Sequence, residues 1–419
     1  MFLRLRFPLY NLSVRVLLLN LYYPPDTSAT AKMAQTVVAA LAEKHDVTVL
    51  CGRPSYDPTK RHPWRLYKTE QCGRVRIIRT GSSDYPRTQM KKRVFNYLSY
   101  VFLAVPRALF LPCDVILAMT DPPFEGIVGA FVALLKRKPY FYNIRDLYPD
   151  MAVGGSIVQP GLLARAWEKL HRWALRRATR VVVLGEDMRR RILAKGIDPA
   201  KVVVVRDGAE IAHPGAPAPD LDPEVIRAIR ANFRFVLLHA GNLGFYGAWD
   251  TLLAGAASLG DDGIGLVFVG DGAQRAQLEA AAANIPNVRF LPFFPANKIY
   301  SVLAAADAHL ITVKRGLEGV VVPSKMYGIL AAGKPIVAVA PRECDVVSLG
   351  EAKGFSISCD PDDPARFAQL VRDLSQNPAE LNGMSRAALA AAPEFNRTSE
   401  LQKLLKIIEA TVQTDPNSP

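Results

Sequence analysis

The chain has 419 residues, half of them hydrophobic, with 52 Lys and Arg against 39 Asp and Glu and a net charge of +13. That length and composition exclude a disordered chain and allow two domains, each with its own core. No uncharged apolar run reaches the ~20 residues that span a bilayer, and the five scattered cysteines argue for a reducing compartment and against both disulfides and zinc.

The first residues, MFLRLRFPLYNLSVRVLLLN, look superficially like a signal peptide. Arg15 interrupts the apolar run, however, and no small-residue cleavage site follows. Residues 14–19 therefore read as a first buried strand, preceded by a basic, aromatic-rich extension over residues 1–10. A helical pattern follows over 31–44, then strands at 47–51 and 75–79 separated by a polar, basic loop, 52–72. Further strands read at 114–118, 139–144, 180–184 and 202–205, with helical stretches between them. This alternation predicts a doubly wound α/β domain.

Residues 87–110, RTQMKKRVFNYLSYVFLAVPRALF, combine a basic head (Arg87, Lys91, Lys92, Arg93) with Phe95, Tyr97, Tyr100, Phe102 and Phe110. A buried helix would account for the apolar residues. It would not account for the basic head and exposed aromatics, which predict a segment dipping into anionic lipid through Lys91, Lys92, Arg93, Phe95 and Tyr97. The aromatics are not interleaved with the charges, which argues against nucleic acid. The charge distribution agrees: residues 1–215 carry 34 Lys and Arg against 17 Asp and Glu, and residues 216–419 carry 18 against 22.

The proline-rich stretch AHPGAPAPDLDP, 212–223, reads as a linker. A second alternation follows, with strands at 235–239, 265–269, 288–291, 308–313, 336–340 and 354–357, and a last helix at 399–412. The predicted organisation is an N-terminal domain over 1–215, a linker region over 216–232 and a C-terminal domain over 233–395. Residues 396–419 form a helix and tail packing back toward the first domain. The two domains are expected to face each other across a cleft, a favoured place for ligands.

Three strand ends in the second half carry glycine: Gly241-Asn242-Leu243-Gly244, Gly270-Asp271-Gly272, and the stretch leading to VPSKMYGILAAGKP. Glycine at such a turn lets backbone approach a phosphate. In the third stretch Ser324 is positioned to cap a short helix over 324–332. Its N-terminus and Lys325 would form an anion site suited to a diphosphate. Lys314, Arg315 and Lys325 are candidates to neutralise a leaving group, and Glu318, on an apparently flexible loop, to touch a donor sugar. Asp121 and Asp146 follow strands of the first half and are candidates on the acceptor side. His239 and His309 lie in apolar strands and read as core. The chain has neither GxGxxG nor a P-loop, and Asp360 to Asp363 reads as a helix cap rather than a metal site.

The segments LYYPPDTSATAKMAQTVVAALAEKHDVTVLCGRPSY, RDLYPD, HAGNLGFYGAWDTLL, FVGDGAQRAQLE and VPSKMYGILAAGKPIVA, in this order and spacing, resemble the retaining GT-B glycosyltransferases of family 4. Within that family the chain is similar to bacterial surface-polysaccharide enzymes that transfer fucosamine-type sugars. The resemblance implies two Rossmann-like domains, the second holding a nucleotide sugar and the first its acceptor. It implies that Gly241, Asn242 and Gly244 line the phosphates, that Pro323, Ser324 and Lys325 frame the nucleotide, and that Gly270, Asp271 and Gly272 lie close by. Two positions depart from the family: Gly328 stands where a ribose-binding Glu is usual, and Phe245 and Tyr246 stand where a basic residue is common.

The expected activity is metal-independent and retaining, with no cofactor. It moves a sugar from a nucleotide diphosphate donor, a UDP-sugar, to a polyprenyl-diphosphate-linked saccharide. Asp121, Glu318 and Lys325 are the catalytic candidates, and the protein is expected at the inner face of the cytoplasmic membrane. The alternatives are a nucleotide-sugar epimerase of the same architecture and a non-catalytic membrane-associated homologue.

Overall fold

In a computed structural model, residues 13–55, 62–85, 90–155, 157–211, 220–260 and 262–414 are described. The expected extension over 1–10, Arg87 and the proline-rich stretch 212–219 lie outside them.

Eight strands form a first sheet: β1 (Arg15–Leu19), β2 (Asp46–Cys51), β3 (Tyr67–Cys72), β4 (Val75–Thr80), β5 (Val115–Ala118), β6 (Tyr140–Asn143), β7 (Arg180–Val183) and β8 (Val202–Val204), in the order β3-β4-β2-β1-β5-β6-β7-β8. Apolar runs such as VLLL and VILA are fully buried, as strands covered on both faces require. β3 corrects the expected loop. It pairs antiparallel with β4 at the sheet edge, and its YKTEQC sequence carries no buried residue, so no apolar period betrays it.

Six parallel strands form a second sheet: β9 (Phe235–Ala240), β10 (Ile264–Val269), β11 (Val288–Leu291), β12 (Ala308–Thr312), β13 (Ile336–Val339) and β14 (Ser356–Cys359). Their order is β11-β10-β9-β12-β13-β14. The chain winds outward from β9 through β10 to β11, then returns to the other side of β9 at β12. The carboxyl ends of β9 and β12 are therefore the switch point of this sheet, where doubly wound folds open to ligands. Phe235, Leu237, Leu266, Phe268, Leu310 and Val337 form its core with the flanking helices.

The expected linker contains a helix, Pro223–Arg230. Asp222 accepts hydrogen bonds from the amides of Glu224 and Val225, Pro223 occupies the first turn, and Val225 and Ile229 bury one face against Val236 and Leu238. Its apolar pattern of two residues is too short to stand out among prolines.

Contacts divide the chain into two compact units. One comprises Met1–Ile144, Lys169–Val182 and Leu401–Pro419; the other comprises Arg145–Glu168 and Val183–Glu400. Asp146, expected on the acceptor side of the first domain, thus belongs with the second unit. Its backbone bridges to Val321, and its charge reaches Tyr246. Among the described residues no helix is long and apolar enough to cross a membrane, and no group of three His, Cys, Asp or Glu is placed to hold a metal.

Candidate functional site

The site is built at the carboxyl ends of β9, β10 and β12. Leaving β9, the chain turns at Gly241, whose φ is 147°. Its amide donates to the Val269 carbonyl (2.9 Å), and the Leu243 amide donates to Asp271 (2.9 Å). The turn after β10 is thus laced to the turn after β9. Their approach is so close that a Cβ on Gly270 would lie 1.9 Å from the Gly241 oxygen, and one on Gly272 would lie 2.4 Å from the Leu243 oxygen. These glycines are required by each other's backbone, whether or not a ligand is present. Asn242 and Asp271 are exposed on the rim.

Two aromatic residues hold the first turn from below. The Trp249 indole donates to the Gly244 carbonyl (2.7 Å), and the Tyr246 hydroxyl donates to the Asn242 carbonyl. The Lys314 amide donates to the Tyr246 carbonyl (2.7 Å), and the Ala248 amide to the Thr312 hydroxyl (3.0 Å), tying this turn to the end of β12. Tyr246, standing in the region of the family's basic residue, is therefore a structural tie, while Phe245 is exposed.

The short helix forms where expected, at Lys325–Ala331. Two details correct the sequence reading. Ser324 occupies the cap position but has helical φ and ψ, and its side chain caps nothing. The amides of Met326 and Tyr327 are not open to an anion, since they return to the carbonyls of Pro323 and Ser324. The anion-attracting feature is instead the Lys325 side chain. Its amine crosses the switch point to His239, with Nζ 2.9 Å from Nε2 and 3.3 Å from Nδ1, and would lie 3.3 Å from a Cβ on Gly241. Among the described residues no carboxylate pairs with it, and burial lowers its pKa to about 7. The stem is partly exposed, so the burial acts on the amine end.

His239 is the residue that the sequence reading missed. It lies in the core, as expected, with its ring edge-on to Trp249 and tilted against Phe268. Burial first, and the Lys325 charge next, push its pKa well down. It nevertheless touches the cation. Its place two residues before Gly241 was the available signal.

The remaining candidates separate. Arg315 is spent on the surface, with both Asp360 and Asp362 as ion-pair partners (2.6 and 2.8 Å), so it does not serve a diphosphate in this arrangement. Asp363 caps the helix Pro364–Gln376 through the Arg366 amide, as expected for that acidic run. Glu318 is held inside its own turn, accepting from the Gly316 amide (2.8 Å), and the segment around it is pinned by hydrogen bonds from the amides of Leu317, Val320 and Val321 rather than loose. Gly328 has open space where a side chain would begin.

In the first unit, Asp121 follows β5 beside the end of β1. Its amide donates to the Asn20 side chain (3.2 Å), and its carbonyl accepts from the Leu21 amide. Arg93 does not face outward: its guanidinium donates to the Tyr97 hydroxyl and lies near Tyr22 and Asp121. Tyr97 in turn packs edge-on against Phe124, and Tyr100 is fully buried, its hydroxyl hydrogen-bonded with the Leu50 carbonyl and the Glu125 carboxyl. Arg93, Tyr97 and Tyr100 are thus withdrawn from the lipid-facing set. Phe95, Phe102 and Phe110 stay exposed at 62%, 79% and 82%, and Lys92 is exposed beside them; the side chain of Lys91 lies outside the description.

Solved structures share this fold. HepE from Anabaena, in complex with UDP and glucose, is 16% identical with a TM-score of 0.68, over 95% of this chain and 100% of HepE. Sucrose-phosphate synthase from Thermosynechococcus elongatus is 14% identical with a TM-score of 0.73, over 96% and 100%. The fold is that of the GT-B glycosyltransferases, with two Rossmann-like α/β domains in one chain. Residues 28–208 match the glycosyl transferase 4-like domain and residues 234–377 match the glycosyl transferases group 1, so the chain belongs to the glycosyltransferase family that joins these two domains. Among named relatives, a protein described as a probable glycosyltransferase, WbjE of Pseudomonas aeruginosa, is 24% identical over 73% of this chain and 78% of its own length. WcaI of Escherichia coli, named for a glycosyl transferase of colanic acid biosynthesis, is 24% identical over 86% and 91%.

Proposed function

We propose that this glycosyltransferase moves a sugar from a UDP-sugar to a polyprenyl-diphosphate-linked saccharide in surface-polysaccharide synthesis, with retention and without a metal. The observation that carries the reading is the Lys325 amine, buried at the Gly241 turn with no carboxylate to balance it among the described residues. A cation kept from water without a counter-charge is costly unless an anion completes the site. A diphosphate leaving group supplies that anion, and fixed positive charge there stabilises its departure. The UDP in HepE and the colanic acid name of WcaI support the choice of donor and pathway class. Calorimetry with UDP tests it: saturable binding is expected, with dissociation constants between about a micromolar and a millimolar. A flat trace with UDP and with other nucleoside diphosphates overturns the donor site.

The lipid-linked acceptor is supported by the first unit's surface. Val94, Phe95, Leu98, Phe102 and Phe110 form an exposed stripe along the helix Met90–Phe110, with Lys92 at its head. The neighbouring helix Glu125–Lys136 adds exposed Phe131, Leu134 and Leu135. An apolar stripe on the basic half of the chain suits an anionic bilayer surface. Cosedimentation with phosphatidylglycerol vesicles is expected, with little on phosphatidylcholine. The double substitution Phe95→Asp, Phe102→Asp should lower it at least about tenfold, because each ring loses ~2 kcal/mol of burial in lipid. Both side chains are exposed, so the melting temperature should not move. Equal binding by the variant removes this surface from the proposal, and UDP binding without vesicle binding favours the epimerase alternative.

A further inference from the structure

The buried Lys195 amine is paired with both Asp150 (2.7 Å) and Glu168 (2.8 Å). Lys325 is held differently. Its amine meets an imidazole that is itself fixed, fully buried between the rings of Trp249 and Phe268. The amine lies over the ring, 2.9 Å from Nε2 and 3.3 Å from Nδ1, and an ammonium against an imidazolium would place two like charges in contact, so the pair holds at most one proton comfortably.

We infer that His239 is a positioning residue for Lys325: it holds the amine at the Gly241 turn without a counter-carboxylate, so that a nucleoside diphosphate enters this site together with one proton. This rests on the donor reading above. The proton comes from solvent and ends on the Lys325 amine, converting it to the ammonium that faces the diphosphate oxygens. β9 supplies His239, whose ring also meets the backbone of Asn242 and Leu310. β12 supplies His309, which is buried, bonded to the Leu303 carbonyl (3.0 Å) and pushed by burial to about 4. β10 supplies Phe268, and the helix Trp249–Ala257 supplies Trp249; neither ring titrates. Lys334 acts on His309 from the far side and is tied to the carbonyls of Ala304 and Ala306. Proton uptake on binding therefore falls to Lys325.

The sign follows from linkage. The empty site prefers the neutral amine and the occupied site prefers the ammonium. UDP affinity therefore falls as pH rises from about 7, by about tenfold per unit while the two states differ by one proton. The test is UDP calorimetry on the full chain between about pH 7 and 9, above the second ionisation of the phosphate, in buffers of different ionisation enthalpy. Wild type is expected to take up close to one proton near pH 8. Lys325→Arg, always charged, should bind UDP with a flat pH profile and no uptake. His239→Gln, which keeps an acceptor, should retain the wild-type profile, whereas His239→Phe should move its midpoint down by about one pH unit. UDP binding without proton uptake in wild type overturns this inference and leaves the donor site standing. Absence of UDP binding at every pH overturns both. An unchanged midpoint in His239→Phe removes the positioning role, and the wild-type uptake measurement needs no variant to fold.

Discussion

Lys325→Met is expected to weaken UDP binding by about 100-fold while making the protein more stable at neutral pH. The two effects have one origin. In the free protein the amine is buried at the switch point beside His239 and has no carboxylate partner among the described residues. Its folded-state pKa is about 7, far below the ordinary lysine value, because burial penalises the charge. The unfolded chain thus binds more protons between that value and about 10.4, so wild-type stability rises with pH across this window. Methionine keeps the stem and removes the charge. Its advantage should be largest below about pH 7, on the order of 4–5 kcal/mol, and should vanish toward pH 10. In the complex the ammonium faces a diphosphate, and the same substitution deletes a charge-assisted contact. Arg315→Ala is the comparison: its guanidinium is already engaged on the surface by Asp360 and Asp362, so UDP affinity should change less than about threefold. Ser324→Ala should likewise leave stability within about 0.5 kcal/mol, because that hydroxyl caps nothing. Unaltered UDP affinity in Lys325→Met would remove the proposed site.

The sequence displayed what buried parallel strands must display. Continuous apolar runs such as FVLLHA and IVAV are legible because both faces of such a strand are covered. β3 carries none, since an edge strand exposed to water needs only one partner. The glycine turns were legible as turns, and their reason was not. Sequence suggests room for phosphate, whereas the geometry shows two turns touching each other. Arg93 and Tyr97 look like a lipid-facing pair when written in a line. On the helix they are four residues apart and bond to each other, which turns both from the surface. His239 was legible as core and illegible as a partner of Lys325, because 86 residues separate them in sequence. Their meeting depends on β12 returning beside β9, a fact of strand order that local pattern does not contain.

Gly270→Ala should be among the most damaging single-methyl additions in the second unit, costing about 3 kcal/mol or more. Two penalties coincide. The residue has φ of 156°, outside the range that an L side chain adopts easily, and its new methyl would stand 1.9 Å from the Gly241 oxygen and 2.9 Å from the Gly241 carbon. Neither turn can yield cheaply. The Gly270 amide is bonded to the Leu291 carbonyl, the Gly270 carbonyl accepts from Arg275, and the opposing turn is fixed by Gly241 to Val269 and by Leu243 to Asp271. Relief must come from moving Gly241, and Gly241 is where Lys325 is placed. Stability and UDP affinity should therefore fall together, the latter by more than about tenfold, as expected when a site is displaced by an ångström. Gly328→Ala tests the converse. It lies inside the helix Lys325–Ala331 with nothing within 4 Å of the new methyl, so it should stabilise by about 0.5–1 kcal/mol through helix propensity alone. Urea unfolding of both variants, followed by UDP titration of the folded protein, gives the comparison. If Gly270→Ala unfolds at the wild-type urea concentration and binds UDP normally, the two turns do not pack as described, and the placement of the Lys325 amine falls with them.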